Sequence, residues 1–222
     1  YRSHEKPDGE KIKRFGILIN NFGYSIRLQN GELHPKEMQK LLAKVAGSPE
    51  EALLARLALR SMKQAKYTTD CMGHFGLAAN YYTHFTSPIR RYPDLAIHRI
   101  LSNYCENPNA EAMHEKYDAF VIEASMRSSD TEVRAITIER NADDCYKAEY
   151  MQQHLGEIFD GIIAGVTDFG FYVALPNTVE GLVHVSTLPE SDWINDDSIA
   201  FKEEQGSACY RLGDTVRVQC TK

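Results

Sequence analysis

Paired cysteines, long apolar runs and an excess of positive charge are all missing from this sequence. The five cysteines (Cys71, Cys105, Cys145, Cys209, Cys220) are odd in number, scattered, and include no CxxC pair. Neither a disulfide framework nor a zinc site is expected; the plain reading is reduced cytosolic thiols, hence a cytoplasmic setting. No apolar run reaches the length of a membrane span, and no signal-peptide pattern opens the chain. Lys and Arg number 25 against 31 Asp and Glu, for a formal net charge of −6. Global charge therefore argues weakly against nucleic acid, and a nucleic-acid enzyme of this charge needs its cations gathered locally. Internal repeats and low-complexity tracts are absent too. The chain opens "YRSHEKPDGE" without an initiator Met and closes on "DTVRVQCTK", in the middle of an expected strand. Both ends read as cut, so a piece of a longer protein is expected.

With 222 residues, 43% apolar and 25% charged, one large domain or two small ones can form real cores. Helices are expected from Lys11 to Asn20 and from Pro35 to Ala46, the second with proline at its first position and Gly47 just past its end. "SPEE" at Ser48–Glu51 has the form of a capping box, starting a helix to about Lys66. On that helix Arg56, Arg60, Lys63 and Lys66 fall on one side, opposite Leu54, Leu57, Ala58 and Ala65; the basic side is either a solvated face or a phosphate-facing stripe. Tyr67 to Tyr82 reads as loop and strand. A helix to about Tyr104, another over Glu111–Ala124, and a third from a second capping box at Ser129–Glu132 to about Gln153 follow. At Leu155-Gly156 the character changes to short β-branched and aromatic runs punctuated by glycine, the pattern of a small β-barrel. Its "NTVEGLVHVS" segment is followed by a loop through Trp193 and then "LGDTVRVQC". The expected class is α+β, with a boundary near residue 154.

The densest chemistry lies in "YYTHFTSPIRRYPDLAIHRI", Tyr81–Ile100. Pro88 and Pro93 stiffen a short segment, and Ser87 before Pro88 suits a helix N-cap; Pro93 would then kink or restart the helix. Adjacent residues point about 100° apart, so Arg90 and Arg91 cannot share a face. One is expected to pair with a carboxylate such as Asp94, leaving the other free to point into a cleft, where its planar fork matches a phosphate. A purely structural ion pair is the competing reading. His74, His84 and His98 lack metal-ligand spacing and read as structural histidines.

"YRSHEKP", "GHFGLAANYYTHFTSPIRRYPDLAIHRIL" and "ERNADDCYKAEYM" together resemble the catalytic RNB domain of the RNase II/RNase R exoribonucleases, over nearly all of residues 1–153 and most closely its RNase R branch. The resemblance implies processive 3′→5′ degradation of RNA to nucleoside 5′-monophosphates with a divalent metal, usually magnesium. It places Arg90 against the scissile phosphate and Glu139 in the active-site region, although Ile138 stands where that family usually has alanine. By itself Glu139 reads as a surface helix carboxylate paired with Arg140 or with neighbours on the Asp143 side. The family's four metal-binding aspartates lie upstream of the matching segment. No such cluster occurs here, and Asp143 and Asp144 match no metal motif. The expectation is the C-terminal part of the catalytic domain, with the N-terminal half as a missing partner.

"GIIAGVTDFGFYVALPNTVEGLVHVS" resembles the S-one-type RNA-binding OB-fold over the remaining residues, 154–222, with its last strand missing. That resemblance implies that Phe169, Tyr172 and His184 stack on unpaired bases, a sequence-tolerant grip suited to single-stranded RNA or RNA with a 3′ overhang. Strict alternation would put Phe169 with Phe171 rather than Tyr172, so a bulge at Gly170 is expected, sending Phe171 to the core; all three aromatics in the core is the competing reading. Two other functions stay open: a non-catalytic RNA-binding module, consistent with the missing aspartates, and a protein-interaction scaffold, consistent with the acidic charge.

Overall fold

A computed structural model describes residues 1–48, 50–196, 199–204 and 206–221. The chain divides into two compact units, Tyr1–Glu139 and Arg140–Lys222, and each is described by itself.

In the first unit, β1 (Arg2–Ser3) precedes α1 (Gly9–Asn20), which Asp8 caps by accepting from the Glu10 and Lys11 amides. A hairpin of β2 (Leu28–Gln29) and β3 (Glu32–Leu33) turns on Asn30-Gly31, both with positive φ; Asn-Gly is the pair such a tight turn prefers. Then α2 (Pro35–Val45) starts with proline in its first turn, and α3 (Glu51–Ser61) follows. Ile12, Phe15 and Ile19 of α1, Met38, Leu41 and Val45 of α2, and Leu54 and Ala58 of α3 recur at helical spacing and close one core with Leu33 and Phe75. β4 (Lys66–Tyr67) pairs antiparallel with β1. α4 (Tyr92–Glu106) and the 43-residue α5 (Ala110–Gln152), whose residues from Arg140 onward belong to the second unit, complete the helical part.

Three expectations are corrected here. First, α3 ends at Ser61 rather than near Lys66, and the Ser48 hydroxyl is buried without a hydrogen-bond partner among the described residues. The Glu51 carboxylate reaches back to the Gly47 amide instead (2.7 Å). The expected "SPEE" box includes Pro49, which lies outside the described residues. Second, the basic stripe does not form as one helix face. Lys66 is in β4, and Lys63 and Lys66 both bind Glu5 at 2.7 Å, holding its carboxyl down at about 2. Third, Ser129 and Glu132 start no helix, because α5 runs straight through them. The Ser129 hydroxyl serves both backbone groups of Tyr67 and the Ser125 carbonyl, and Glu132 binds Arg2. A motif that could cap a helix is used instead to dock the β1–β4 pair.

In the second unit, β5 (Ile158–Thr167), β6 (Gly170–Ala174) and β7 (Glu180–His184) form a meander. β8 (Trp193–Asp196), β9 (Ala200–Glu203) and β10 (Cys209–Arg211) form a separate three-stranded sheet where a loop was expected. β11 (Thr215–Gln219) then joins the first sheet, giving the order β11-β5-β6-β7, all antiparallel. Ile163, Val166, Phe171 and Val173 of the meander pack with Phe201 of β9 in one core, against which Trp193 and Tyr210 are packed. Trp193 lies parallel to Phe201 at 5.4 Å.

Candidate nucleic-acid interface

Two surfaces carry recognisable chemistry, one in each unit. In the first, Ser87 does not cap α4. The stretch Ser87–Arg91 is a turn in which the Ser87 carbonyl accepts from the amides of Arg90 (3.3 Å) and Arg91 (3.0 Å). The helix begins at Tyr92, with Pro93 in its first turn, where a missing N–H costs no intrahelical bond. The Asp94 carboxylate is fully buried; its Oδ2 accepts from the Ser87 amide (2.8 Å) and from Nη2 (2.8 Å) and Nε (3.2 Å) of Arg91. Its Oδ1 has no hydrogen-bond partner among the described residues. Arg91 is thus the paired arginine. Arg90 is exposed beside the fully exposed Ile89, and its guanidinium has no partner among the described residues. His98 secures the chain ahead of the turn: Nε2 donates to the Phe85 carbonyl (2.8 Å), and the two rings stack at 4.1 Å.

A ladder of rings also involves this part of the chain. His4, His74, Tyr82, His84 and Tyr67 meet edge to face at centroid distances of 5.0 to 5.9 Å. The Tyr67 hydroxyl and His84 Nδ1 are hydrogen-bonded at 2.8 Å. Arg2 lies over the Tyr67 ring (4.6 Å) and binds Glu132 at 2.6 Å. Burial pushes all three imidazoles below their ordinary value, and nearby cations add to this: Arg2 for each, and Arg91 for His84. These histidines are packing groups whose surroundings favour the neutral form.

Glu139 is exposed on α5, and among the described residues no hydrogen bond or ion pair joins it to Arg90, to Arg140 or to any other residue. Asp143 and Asp144 are likewise exposed on α5. Among the described residues no three Asp, Glu, His or Cys side chains converge. Magnesium requires about six oxygen ligands at octahedral geometry, several of them from water and substrate; the carboxylates described here do not fit such a site.

The second surface is the outer face of the β5–β6–β7 meander. Tyr172 pairs with Leu182, and His184 with Gly170, so Tyr172, Leu182 and His184 share this face. Phe169 occupies the turn between β5 and β6, exposed, with its ring 6.4 Å from that of His184 and 25° from parallel. The expected bulge at Gly170 is corrected. The register shift lies in β5, between Ile163 and Gly165, and Phe169 is freed from strand alternation by the turn itself. Gly170 is required for a different reason: its φ is +141°, and a Cβ there would meet the Val183 carbonyl at 2.1 Å. Phe171 is buried against Phe201 and Tyr210, as expected. His184 Nδ1 accepts from the Ser186 amide (3.2 Å), so the neutral ring carries its proton on Nε2.

Two contributors were missed from the sequence. Leu182 adds an exposed apolar side chain across from Tyr172. Asn195 of β8 donates to the Asp168 carboxylate (2.8 Å), bracing the turn that carries Phe169. The alternation in "WINDDSIAFKEE" was the available signal for β8 and β9, diluted by its polar centre.

Residues 1–107 match the RNB domain family and residues 152–222 the S1 RNA binding domain family. Ribonuclease R 1 of Lactococcus lactis is 40% identical over 100% of this chain and 27% of its own length. Ribonuclease R of Aquifex aeolicus is 41% identical over 99% of this chain and 31% of its own length. The solved RNase R of Mycoplasma genitalium matches with a TM-score of 0.92 at 26% identity, covering 100% of this chain and 35% of that one. That protein has also been solved with ribose-methylated single-stranded RNA (TM-score 0.92) and with double-stranded RNA (TM-score 0.73). The chain spans about a third or less of the length of these relatives.

Proposed function

The chain belongs to the ribonuclease R family of RNB and S1 domain proteins, and from that premise we propose that it is part of a 3′→5′ exoribonuclease that degrades RNA processively to nucleoside 5′-monophosphates. In this reading residues 1–153 are the C-terminal part of the catalytic domain and residues 154–222 the RNA-binding barrel. The substrate is single-stranded RNA or RNA with a 3′ overhang, and the setting is the cytoplasm. The observation that carries the reading is Arg90, an arginine without a partner among the described residues, in a turn whose neighbouring arginine is neutralised by Asp94. In a chain of net charge −6, cationic groups must be placed locally to meet a polyanion. Arg90 then binds the oxygens of the scissile phosphate and stabilises the charge that builds on them in the transition state. Glu139 belongs to the same active-site region in this reading. Phe169, Tyr172 and His184 hold unpaired bases by stacking.

Magnesium is assigned to carboxylates outside this chain, and the work of these residues is grip and charge stabilisation. This chain alone is therefore expected to release no nucleotides. The test is single-turnover hydrolysis of labelled single-stranded RNA by the full-length protein with magnesium. Arg90→Ala should slow the chemical step by about 10²–10³-fold while weakening RNA binding far less, because binding is shared among many phosphate contacts. Equal losses in rate and affinity would make Arg90 a grip residue only. RNA binding without any hydrolysis by the full-length protein would favour the non-catalytic reading.

A further inference from the structure

Asp94 is a charged group with no exposed surface, and one of its oxygens ties together both ends of the turn that carries Arg90. The amide of Ser87, at the start of the turn, and two guanidinium nitrogens of Arg91, at its end, all donate to Oδ2. Inside the turn, the Ser87 carbonyl accepts from the amides of both Arg90 and Arg91. The backbone under Arg90 is therefore held from within and from both ends, while its side chain is left without a partner among the described residues. Stability alone is a weak reason for this arrangement, since a buried ion pair is often no better than well-packed apolar residues in its place. The arrangement also settles which arginine of the pair is available. With Arg91 committed to Asp94, only Arg90 is offered outward.

We propose that Asp94 is a positioning residue for the phosphate-binding arginine: it pre-places the Arg90 backbone and keeps Arg91 from competing for the phosphate. This rests on the reading of Arg90 given above. Asp94 touches no substrate in this scheme and acts only through the turn.

Asp94→Asn is the informative change. The amide oxygen can still accept from the three donors, so the shape is kept while the charge that holds Arg91 is lost. The test compares single-turnover hydrolysis of labelled single-stranded RNA by the full-length protein, with RNA affinity measured separately, for Asp94→Asn, Arg90→Ala and the double variant. Asp94→Asn is expected to lower the rate by up to about 10²-fold, the scale of a small misplacement of a reacting group. Affinity should fall by less than about threefold, since binding is spread over many phosphates. In the Arg90→Ala background the same change should add almost nothing. An equal loss of rate in both backgrounds, or a loss of affinity as large as the loss of rate, overturns the proposal. An Arg90→Ala variant as fast as the unmutated protein instead removes the reading beneath it, and that is seen in the single variant alone. Should Asp94→Asn fail to fold, Arg91→Lys takes its place. It keeps the cation but loses the fork, so a smaller rate loss is expected, again silent without Arg90, and a loss that persists without Arg90 overturns the proposal.

Discussion

Phe169 and His184 face each other across the rim of the meander, with ring centroids 6.4 Å apart and planes 25° from parallel. Neither ring belongs to the core beneath them. Tyr172 lies on the same outer face as His184 by strand register. Each base stacked on such a ring contributes about 1–3 kcal/mol. In the full-length protein, Phe169→Ala and Tyr172→Ala should each weaken single-stranded RNA binding by that amount and leave the melting temperature nearly unchanged. Titration with a labelled oligonucleotide checks this; unchanged affinity in both variants would assign the barrel another partner.

Phe171, one residue from Tyr172, should behave oppositely. It is 2% exposed, and truncating a buried Phe costs about 3–5 kcal/mol. Phe171→Ala should lower the barrel's unfolding midpoint in denaturant. Gly170→Ala should lower it too, because the new Cβ would meet the Val183 carbonyl at 2.1 Å and the φ of +141° is strained for any other residue. A Gly170→Ala variant as stable as the parent would contradict this backbone geometry.

The ring ladder of the first unit predicts a pH dependence. His4, His74 and His84 are held below their ordinary pKa, first by burial. Unfolded, they take up protons near pH 6.5; folded, they do so only at lower pH. The unfolded state thus binds more protons in that interval, and stability falls as pH drops below about 6.5. Arg2 and Arg91 oppose protonation, while Asp94 and Glu132 favour it at His84. The melting temperature of the first unit's transition should be flat from about pH 8 to 7 and decline below about 6.5. His74→Gln should flatten part of that decline, and an identical profile in the variant would assign the decline to other groups.

Arg2 and Glu132 supply a stability test. The Arg2 side chain is 12% exposed and is held by Glu132 at 2.6 Å. Glu132→Ala strands a mostly buried cation, for an expected loss of about 1–3 kcal/mol. The paired change Arg2→Met with Glu132→Leu should recover part of it, since removing both charges avoids the stranded one. Chemical denaturation of the single and double variants decides; a double variant worse than the sum of its parts would reject the argument.

Much of the local structure is legible in the sequence. The apolar spacing of Ile12, Phe15 and Ile19 and of Met38, Leu41 and Val45 reports a buried helical stripe directly. The Asn30-Gly31 turn is equally readable from its residue pair. The errors cluster where one residue pattern serves two purposes. Ser129 and Glu132 have the form of a helix start, yet the polar groups of Tyr67 and Arg2 claim them from far along the chain. Lys63 and Lys66 fit a helix face on paper, but Glu5 draws both onto itself.

The family resemblance, the helical-then-β order and the expectation that one arginine pairs with a carboxylate such as Asp94 were legible in the sequence, because these rest on motifs and spacing within short stretches of chain. Tertiary structure alone decided which arginine was paired, that α5 runs unbroken, and that β8, β9 and β10 form a sheet. It also decided that Phe169 reaches the outer face from a turn rather than a bulge. In each case the deciding partner is a group that folding brings in: the Ser87 amide at Asp94, the Tyr67 backbone at Ser129, and the Phe201 ring against Phe171. Hydrogen bonds and close packing act over a few ångströms in space, and separation along the chain carries no record of them.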